Sequence, residues 1–143
     1  MQDINRISAD PAASRYRAEI NSLRGVLEGV LFAILYGSLV SGRPRADSDV
    51  DLAVMYPYSL SADCLIRLTG EVAAAFSRDA DLLDLRCAGP IIKMQVLRYG
   101  CPVIVNDPSA FENFRMYTLG EFSDFKLSRR PIEEAIKHGA LHD

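Results

Sequence analysis

The segment over residues 49–56, DVDLAVMY, constrains this chain most, because it places two aspartates inside an otherwise apolar strand. Successive side chains of a strand point to opposite faces, so Asp49 and Asp51 share one face. Two carboxylates on one face repel each other, and the repulsion raises the pKa of one of them unless a positive charge neutralises the pair. Mg²⁺ prefers oxygen ligands of this kind, so the two aspartates predict a magnesium site.

A Gly-Ser pair ends the preceding apolar stretch, LFAILYG, ten residues before the first of these aspartates. Glycine at the end of a strand lets backbone N–H groups approach a phosphate, and the hydroxyl of Ser38 can donate a further hydrogen bond. We expect a loop over residues 39–48 to return the chain so that the two strands lie side by side. Gly37 and Ser38 would then lie beside the aspartates at one end of one sheet, as a platform for magnesium and a triphosphate.

A third carboxylate is expected on a neighbouring strand. Two metal ions that bridge an attacking oxygen and a phosphate need more than two carboxylates. The segment over residues 79–87, DADLLDLRC, offers Asp81 and Asp84, which fall on opposite faces of a strand, so only one of them can join the pair. We predict Asp81, which opens the strand, and keep Asp84 as the alternative.

The remaining apolar pattern predicts helices that alternate with strands. An amphipathic helix over residues 14–31 leads into the strand that ends at Gly37, and residues 101–105 form a fourth strand. Further helices are expected to begin at Ser59 or Ser61, at Pro90, at Pro108 and, as a last short helix, at Pro131.

This order of elements predicts an α/β fold in which a small mixed β-sheet is flanked by helices. We expect a single domain over residues 1–143, with a core over about 14–106 and a C-terminal helical segment over 108–143.

The composition argues against several classes of protein. A net charge of −3 and an isoelectric point of about 5.4 disfavour direct binding to long nucleic acid, which requires a basic face. The sequence has neither the apolar run of a membrane span nor, in MQDINRISADP, the layout of a signal peptide. Cys64, Cys87 and Cys101 form no CxxC motif, which favours a reduced, cytoplasmic protein with buried cysteines.

Other features keep two readings each. Arg43 and Arg45 either contact phosphate or a partner, or form a solvated loop, and the basic residues 126–130 either dock on an acidic partner or end a helix in solvent. The apolar residues of 111–117 form either an interface or part of the core. His138 and His142 are expected to be exposed residues of the tail.

Gly37-Ser38, ten intervening residues and Asp49-Val50-Asp51 make up the pattern GSx10DxD. This pattern resembles the signature of the DNA polymerase beta-like nucleotidyltransferase superfamily. The segments SDVDLAVM and ADLLDLR are similar to those of its minimal nucleotidyltransferase family, as found in MntA-like antitoxins, and the resemblance covers roughly residues 14–106. It implies the polymerase-beta-like fold and the Mg²⁺-dependent transfer of a nucleoside monophosphate to a hydroxyl, with release of pyrophosphate.

The resemblance also implies roles for individual residues. By analogy, Asp49 and Asp51 hold the metal ions, and Asp81 completes the catalytic metal site and helps to deprotonate the acceptor. Gly37 and Ser38 bind the β- and γ-phosphates.

The minimal family further implies a partner. Its antitoxins transfer AMP from ATP to a tyrosine of a HEPN-domain ribonuclease toxin, so we expect a hetero-oligomer with such a toxin. Two alternatives stay open, a nucleotidyltransferase that acts on a small molecule such as an aminoglycoside, and a non-catalytic antitoxin that occludes its toxin.

Overall fold

The computed structural model describes residues 11–41 and 45–137. Helices and strands alternate along the chain, as the sequence predicts. In chain order they are α1 (Pro11–Arg15), α2 (Arg17–Val26), β1 (Phe32–Tyr36), α3 (Ser38–Ser41), β2 (Val50–Met55), α4 (Ala62–Phe76), β3 (Ala80–Asp84), α5 (Pro90–Tyr99), β4 (Cys101–Val105) and α6 (Pro108–Lys137).

The four strands form one mixed sheet in the order β3-β2-β1-β4. Strand β1 runs antiparallel to both of its neighbours, β2 and β4, whereas β2 and β3 are parallel. The β2–β3 pair is joined by the crossover helix α4, as parallel strands require. The predicted α/β fold with a small mixed sheet is confirmed.

Helices cover both faces of the sheet. On one face, α2 and α4 pack through buried side chains such as Leu23 and Val72. On the other face, α5 and α6 contribute Val96, Phe111 and Phe114. Because β1 is covered on both sides, its residues form a continuous apolar run without polar alternation.

The first helical region differs from its prediction. The amphipathic pattern over 14–31 forms two helices, α1 and α2, and α2 ends at Val26. The N–H of Leu27 closes the last turn on the carbonyl of Leu23 at 2.8 Å, and Gly29 then takes a φ of +83°, which L side chains rarely adopt. This left-handed residue ends the helical path and turns the chain into β1.

The prediction of a separate helix at Pro131 is wrong. Helix α6 runs without interruption from Pro108 through Pro131 to Lys137. A proline inside a helix removes one backbone N–H donor and can kink the helix without ending it.

The expectations for cysteines and for the 111–117 segment hold in part. Cys101 is buried, but Cys64 is half-buried and Cys87 is exposed, so only one of the three thiols behaves as predicted. Within residues 111–117, the two phenylalanines belong to the core, whereas Met116 and Tyr117 are exposed. Among the described helices, none combines the length and apolar character needed to cross a bilayer.

Candidate active site

The topology brings the predicted acidic residues to one end of the sheet. Because β2 and β3 are parallel, their N-terminal ends lie side by side, and Asp51 is the register partner of Asp81. Asp49 immediately precedes β2 and is exposed. All three carboxylates therefore belong to the same end of two adjacent strands.

The C-terminal end of β1 lies at the same end of the sheet. Strand β1 is antiparallel to β2, and its last residue, Tyr36, is the register partner of Asp51. Gly37 and Ser38 follow directly, so they lie beside the carboxylates. The structure thus brings together the five residues that the sequence singled out.

Gly37 lies directly against the carboxylate of Asp51. Its φ is +77°, in the left-handed region, and a Cβ atom built on it would overlap the Oδ2 atom of Asp51. Both facts require glycine, because any other residue would be strained and would displace the carboxylate. The space that lets Asp51 approach the backbone exists because Gly37 has no side chain.

The acidic residues act on one another electrostatically. Burial raises the pKa of half-buried Asp51 above its ordinary value, and the negative charges of Asp81 and then Asp49 raise it further. Burial, the charge of Asp51 and that of Asp81 together raise the pKa of Tyr36 to about 12. The carboxylates of Asp81 and Asp49 therefore both act on Asp51, and among the described residues no positive side chain lowers its pKa in return.

Asp84, the alternative third acid, points away from this cluster. It is buried, strand alternation places it on the face opposite to Asp81, and its carboxylate accepts hydrogen bonds from the backbone N–H of Leu60 at 2.9 Å and of Arg86 at 3.0 Å. The second bond closes a turn, so β3 ends at Asp84 instead of continuing to residue 87 as predicted. Asp84 therefore stabilises the loop at Leu60 and the turn at Arg86. Asp81 is the acid that lies at the same end of the sheet as Asp51.

The segment after Gly37 is more regular than predicted. The sequence suggested a loop over residues 39–48, but the single-turn helix α3 occupies Ser38–Ser41. It begins with a hydrogen bond from the N–H of Val40 to the carbonyl of Gly37 at 3.1 Å. Ser38 is exposed at this end of the sheet.

The donor set fits a magnesium ion that is shared with phosphates. Among the described residues, no three acidic, histidine or cysteine side chains converge closely enough to form a metal cage by themselves. Mg²⁺ is usually bound by one or two carboxylates, with waters and substrate phosphates as the remaining ligands. The close approach of Asp51 to the Gly37 backbone and the neighbouring carboxylates of Asp81 and Asp49 match that arrangement.

Sequence reasoning missed two residues at this end. Tyr36 could have been found only by assuming the register of β1 on β2. Arg78 precedes β3 and donates hydrogen bonds to the backbone carbonyls of the segment before Asp49. Of the two arginines predicted there, Arg45 is exposed, and Arg43 lies outside the described residues, as do His138 and His142.

Comparison with known proteins finds a family and a relative that this chain resembles. The family described as Polymerase beta, Nucleotidyltransferase matches residues 19–109. Protein adenylyltransferase MntA of Shewanella oneidensis is 32% identical over 117 residues, which cover 82% of this chain and 84% of that protein.

Solved structures have the same fold. A chain of a toxin-antitoxin structure with AMP-PNP superposes with a TM-score of 0.73 at 25% identity, covering 85% of this chain and 98% of that one. A complex of tri-AMPylated Shewanella oneidensis HEPN toxin with MNT antitoxin gives a TM-score of 0.69 at 23% identity, covering 88% and 98%, and this likeness speaks for the fold alone.

The family match extends from α2 into α6 and so contains every candidate site residue. The chain therefore belongs to the polymerase beta-like nucleotidyltransferase family, in its minimal, MntA-like branch, and is a nucleotidyltransferase.

Proposed function

We propose that this nucleotidyltransferase transfers AMP from ATP to a hydroxyl group, most simply that of a tyrosine, on a partner HEPN-type toxin, and that it acts as the antitoxin. The observation that carries the proposal is the meeting of Gly37, Asp51 and Asp81 at one end of the sheet. Gly37 lets the Asp51 carboxylate lie next to the backbone, and further carboxylates are close by. This arrangement suits the binding of a triphosphate as its magnesium complex.

In this proposal Asp49 and Asp51 hold Mg²⁺, and Asp81 completes the site next to the acceptor hydroxyl. Bound Mg²⁺ neutralises phosphate charge and makes the α-phosphorus more electrophilic. The backbone at Gly37 and the hydroxyl of Ser38 donate hydrogen bonds to the β- and γ-phosphates and so orient the leaving group.

The transfer itself is a displacement at phosphorus. The acceptor oxygen forms a bond to the α-phosphorus, the bond from that phosphorus to the bridging oxygen breaks, and pyrophosphate leaves. The proton of the acceptor hydroxyl passes to the carboxylate of Asp81. An exposed position suits Asp81 for this step, because the acceptor must reach it from solvent.

The identity of the acceptor is supported by the relatives. MntA, at 32% identity over most of both chains, is a protein adenylyltransferase, and the toxin-antitoxin structure with AMP-PNP pairs this fold with a toxin and an ATP analogue. The protein encoded next to this chain is therefore the first acceptor to test.

The test is to incubate the purified chain with Mg²⁺ and ATP labelled at the α-phosphate, with and without the neighbouring protein. We expect label on the neighbour, lost in Asp51→Asn and retained in Asp47→Asn, an exposed aspartate of the same segment. Tight binding without label would replace the proposal by occlusion, and label on an added aminoglycoside alone would replace it by small-molecule transfer.

A further inference from the structure

The backbone that presents Asp49 is a short turn before β2. Within it, the N–H of Arg45 donates to the Oγ of Ser48 at 2.8 Å, and the N–H of Ser48 donates to the carbonyl of Arg45 at 3.1 Å. These two bonds shape residues 45–48, which we call the 45–48 turn, but they do not attach it to the rest of the molecule. Its side chains are exposed or half-buried, so packing alone does not hold it.

Arg78 attaches this turn to the body of the protein. Its Nη1 atom donates to three backbone carbonyl oxygens of the turn, those of Arg45 at 2.8 Å, Ser48 at 3.0 Å and Ala46 at 3.3 Å. Charge-assisted hydrogen bonds are roughly twice as strong as neutral ones. One guanidinium therefore fixes both ends of the turn whose last residue precedes Asp49.

The backbone of Arg78 is fixed by the C-terminal end of α4. Helix α4 ends at Phe76, and Ser77 takes a left-handed φ of 51°, which turns the chain toward β3. The N–H of Arg78 then closes on the carbonyl of Ala73 at 3.2 Å. The backbone position of Arg78 is thus set by the end of α4.

Asp79, the residue after Arg78, fixes the backbone on the C-terminal side of Asp49. The carbonyl of Asp79 accepts a hydrogen bond from the N–H of Val50 at 2.8 Å. Asp49 is consequently flanked by Ser48, held through the Arg78 side chain, and by Val50, held through the Asp79 backbone. Both supports come from the short segment that joins α4 to β3.

We propose that Arg78 is a positioning residue, which holds the 45–48 turn so that the Asp49 carboxylate is placed for the metal of the transfer reaction. This inference rests on the function proposed above. Arg78 acts through the turn and does not touch the reacting atoms. A misplacement of a catalytic group by about 1 Å can lower the rate up to a hundredfold. Loss of the hydrogen bonds from Arg78 to the turn should therefore lower the rate of transfer.

The test compares Arg78→Met, which keeps the chain length and removes the donors, with Arg67→Met as the matched control. Arg67 is an exposed arginine of α4 whose ion pair with Glu71 lies on the helix surface. A third variant, Arg78→Lys, asks whether charge alone suffices, since lysine lacks the planar fork of donors.

The first readout is independent of activity. Hydrogen–deuterium exchange should rise over residues 45–50 in Arg78→Met, with the strands β1 and β4 still protected, and should not change there in Arg67→Met. Unchanged exchange over residues 45–50 in Arg78→Met would overturn the inference, whether or not the chain transfers AMP.

The second readout is functional. In Arg78→Met we expect kcat for transfer to fall about tenfold or more, and the Mn²⁺ dissociation constant with AMP-PNP to rise, while nucleotide binding without metal stays unchanged. Arg78→Lys should recover part of kcat. A fall in melting temperature with unchanged kcat and Mn²⁺ affinity would reduce Arg78 to a structural role. If the wild-type chain transfers no AMP, the proposed function fails, and the exchange measurement alone decides whether Arg78 holds the turn.

Discussion

Gly37, the residue after β1, lies so close to Asp51 of the adjacent strand β2 that a single methyl group on Gly37 would collide with the Asp51 carboxylate. The glycine of the Gly-Ser pair and the second aspartate of the DxD pair are therefore one structural unit. The ten residues between Ser38 and Asp49 in the motif provide the connection that returns the chain to this contact.

Gly37→Ala should damage both stability and transfer. An alanine at a φ of +77° costs about 1–2 kcal/mol in backbone strain, and its methyl group displaces Asp51 in addition. The matched control is Gly29→Ala, whose φ is +83° but whose Cβ would meet nothing within 4 Å. Urea unfolding should show both variants destabilised, with transfer lost in Gly37→Ala alone. Equal activity in the two variants would show that the contact with Asp51 is unimportant.

Asp51→Asn should stabilise the metal-free protein at neutral pH. The folded-state pKa of Asp51 is raised above its ordinary value of 3.8 by burial, Asp81 and Asp49, so its ionisation costs folding free energy. Below the pKa of Asp51 in the unfolded state, its protonated carboxyl group costs no stability. As the pH rises through the higher pKa of the folded state, the protein loses stability.

The check on Asp51→Asn is urea unfolding at pH 3.5 and pH 7 in the presence of a chelator, against Asp47→Asn. We expect the variant to gain stability over the wild type at pH 7 and little at the lower pH, and Asp47→Asn to change neither. A gain of equal size at both values would mean that charge repulsion is not its source. Mg²⁺ should raise the melting temperature of the wild type more than that of Asp51→Asn.

The sequence predicted the elements whose ends are set by local chemistry. Strand β4 has its predicted bounds because Gly100 ends the preceding helix, and α4 is capped by the Ser61 hydroxyl, which accepts from the N–H of Cys64 at 3.2 Å. The sequence left Ser59 and Ser61 equal as caps, because both precede the same apolar pattern. Only the path of the chain after β2 distinguishes them.

Residues whose roles depend on distant partners were not predictable in the same way. Alternation placed Asp81 and Asp84 on opposite faces but could not say which face belongs to Asp51, since that follows from the parallel register of β2 and β3. Arg78 gave no signal at all, because it contacts backbone carbonyls 30 to 33 residues away and those are the same for every residue type.

Removal of the Asp84 side chain should cost folding stability, whereas removal of the Asp81 side chain should not. Asp84→Ala leaves the N–H groups of Leu60 and Arg86 without their carboxylate, which should cost about 3 kcal/mol of unfolding free energy. Asp81→Ala removes an exposed side chain and should change stability by no more than about 0.5 kcal/mol.

Transfer assays separate the two acids further. At a temperature where both variants are folded, Asp84→Ala should keep most of its activity and Asp81→Ala should lose it. Loss of transfer in a folded Asp84→Ala, with transfer retained in Asp81→Ala, would reverse the assignment of the third acid.

Tyr36 should report on the charge of the acidic cluster. Its pKa is raised to about 12, above the ordinary 10.0, by burial and by Asp51 and Asp81, so the stability linked to its phenol is complete below pH 10 and is lost as pH rises toward 12. Tyr36→Phe should therefore resist alkaline unfolding better than the wild type over that range.

Tyr56 provides the control for this measurement, because its pKa is also raised to about 12, with burial as the largest cause and with neither Asp51 nor Asp81 among the others. In a ¹³C-tyrosine NMR titration, Asp51→Asn should lower the pKa of Tyr36 and leave that of Tyr56 unchanged. Adding Mg²⁺ alone should act in the same direction as Asp51→Asn, because a bound cation offsets the same charges. If neither change altered the pKa of Tyr36, burial alone would raise it, and the carboxylates would not act on it electrostatically.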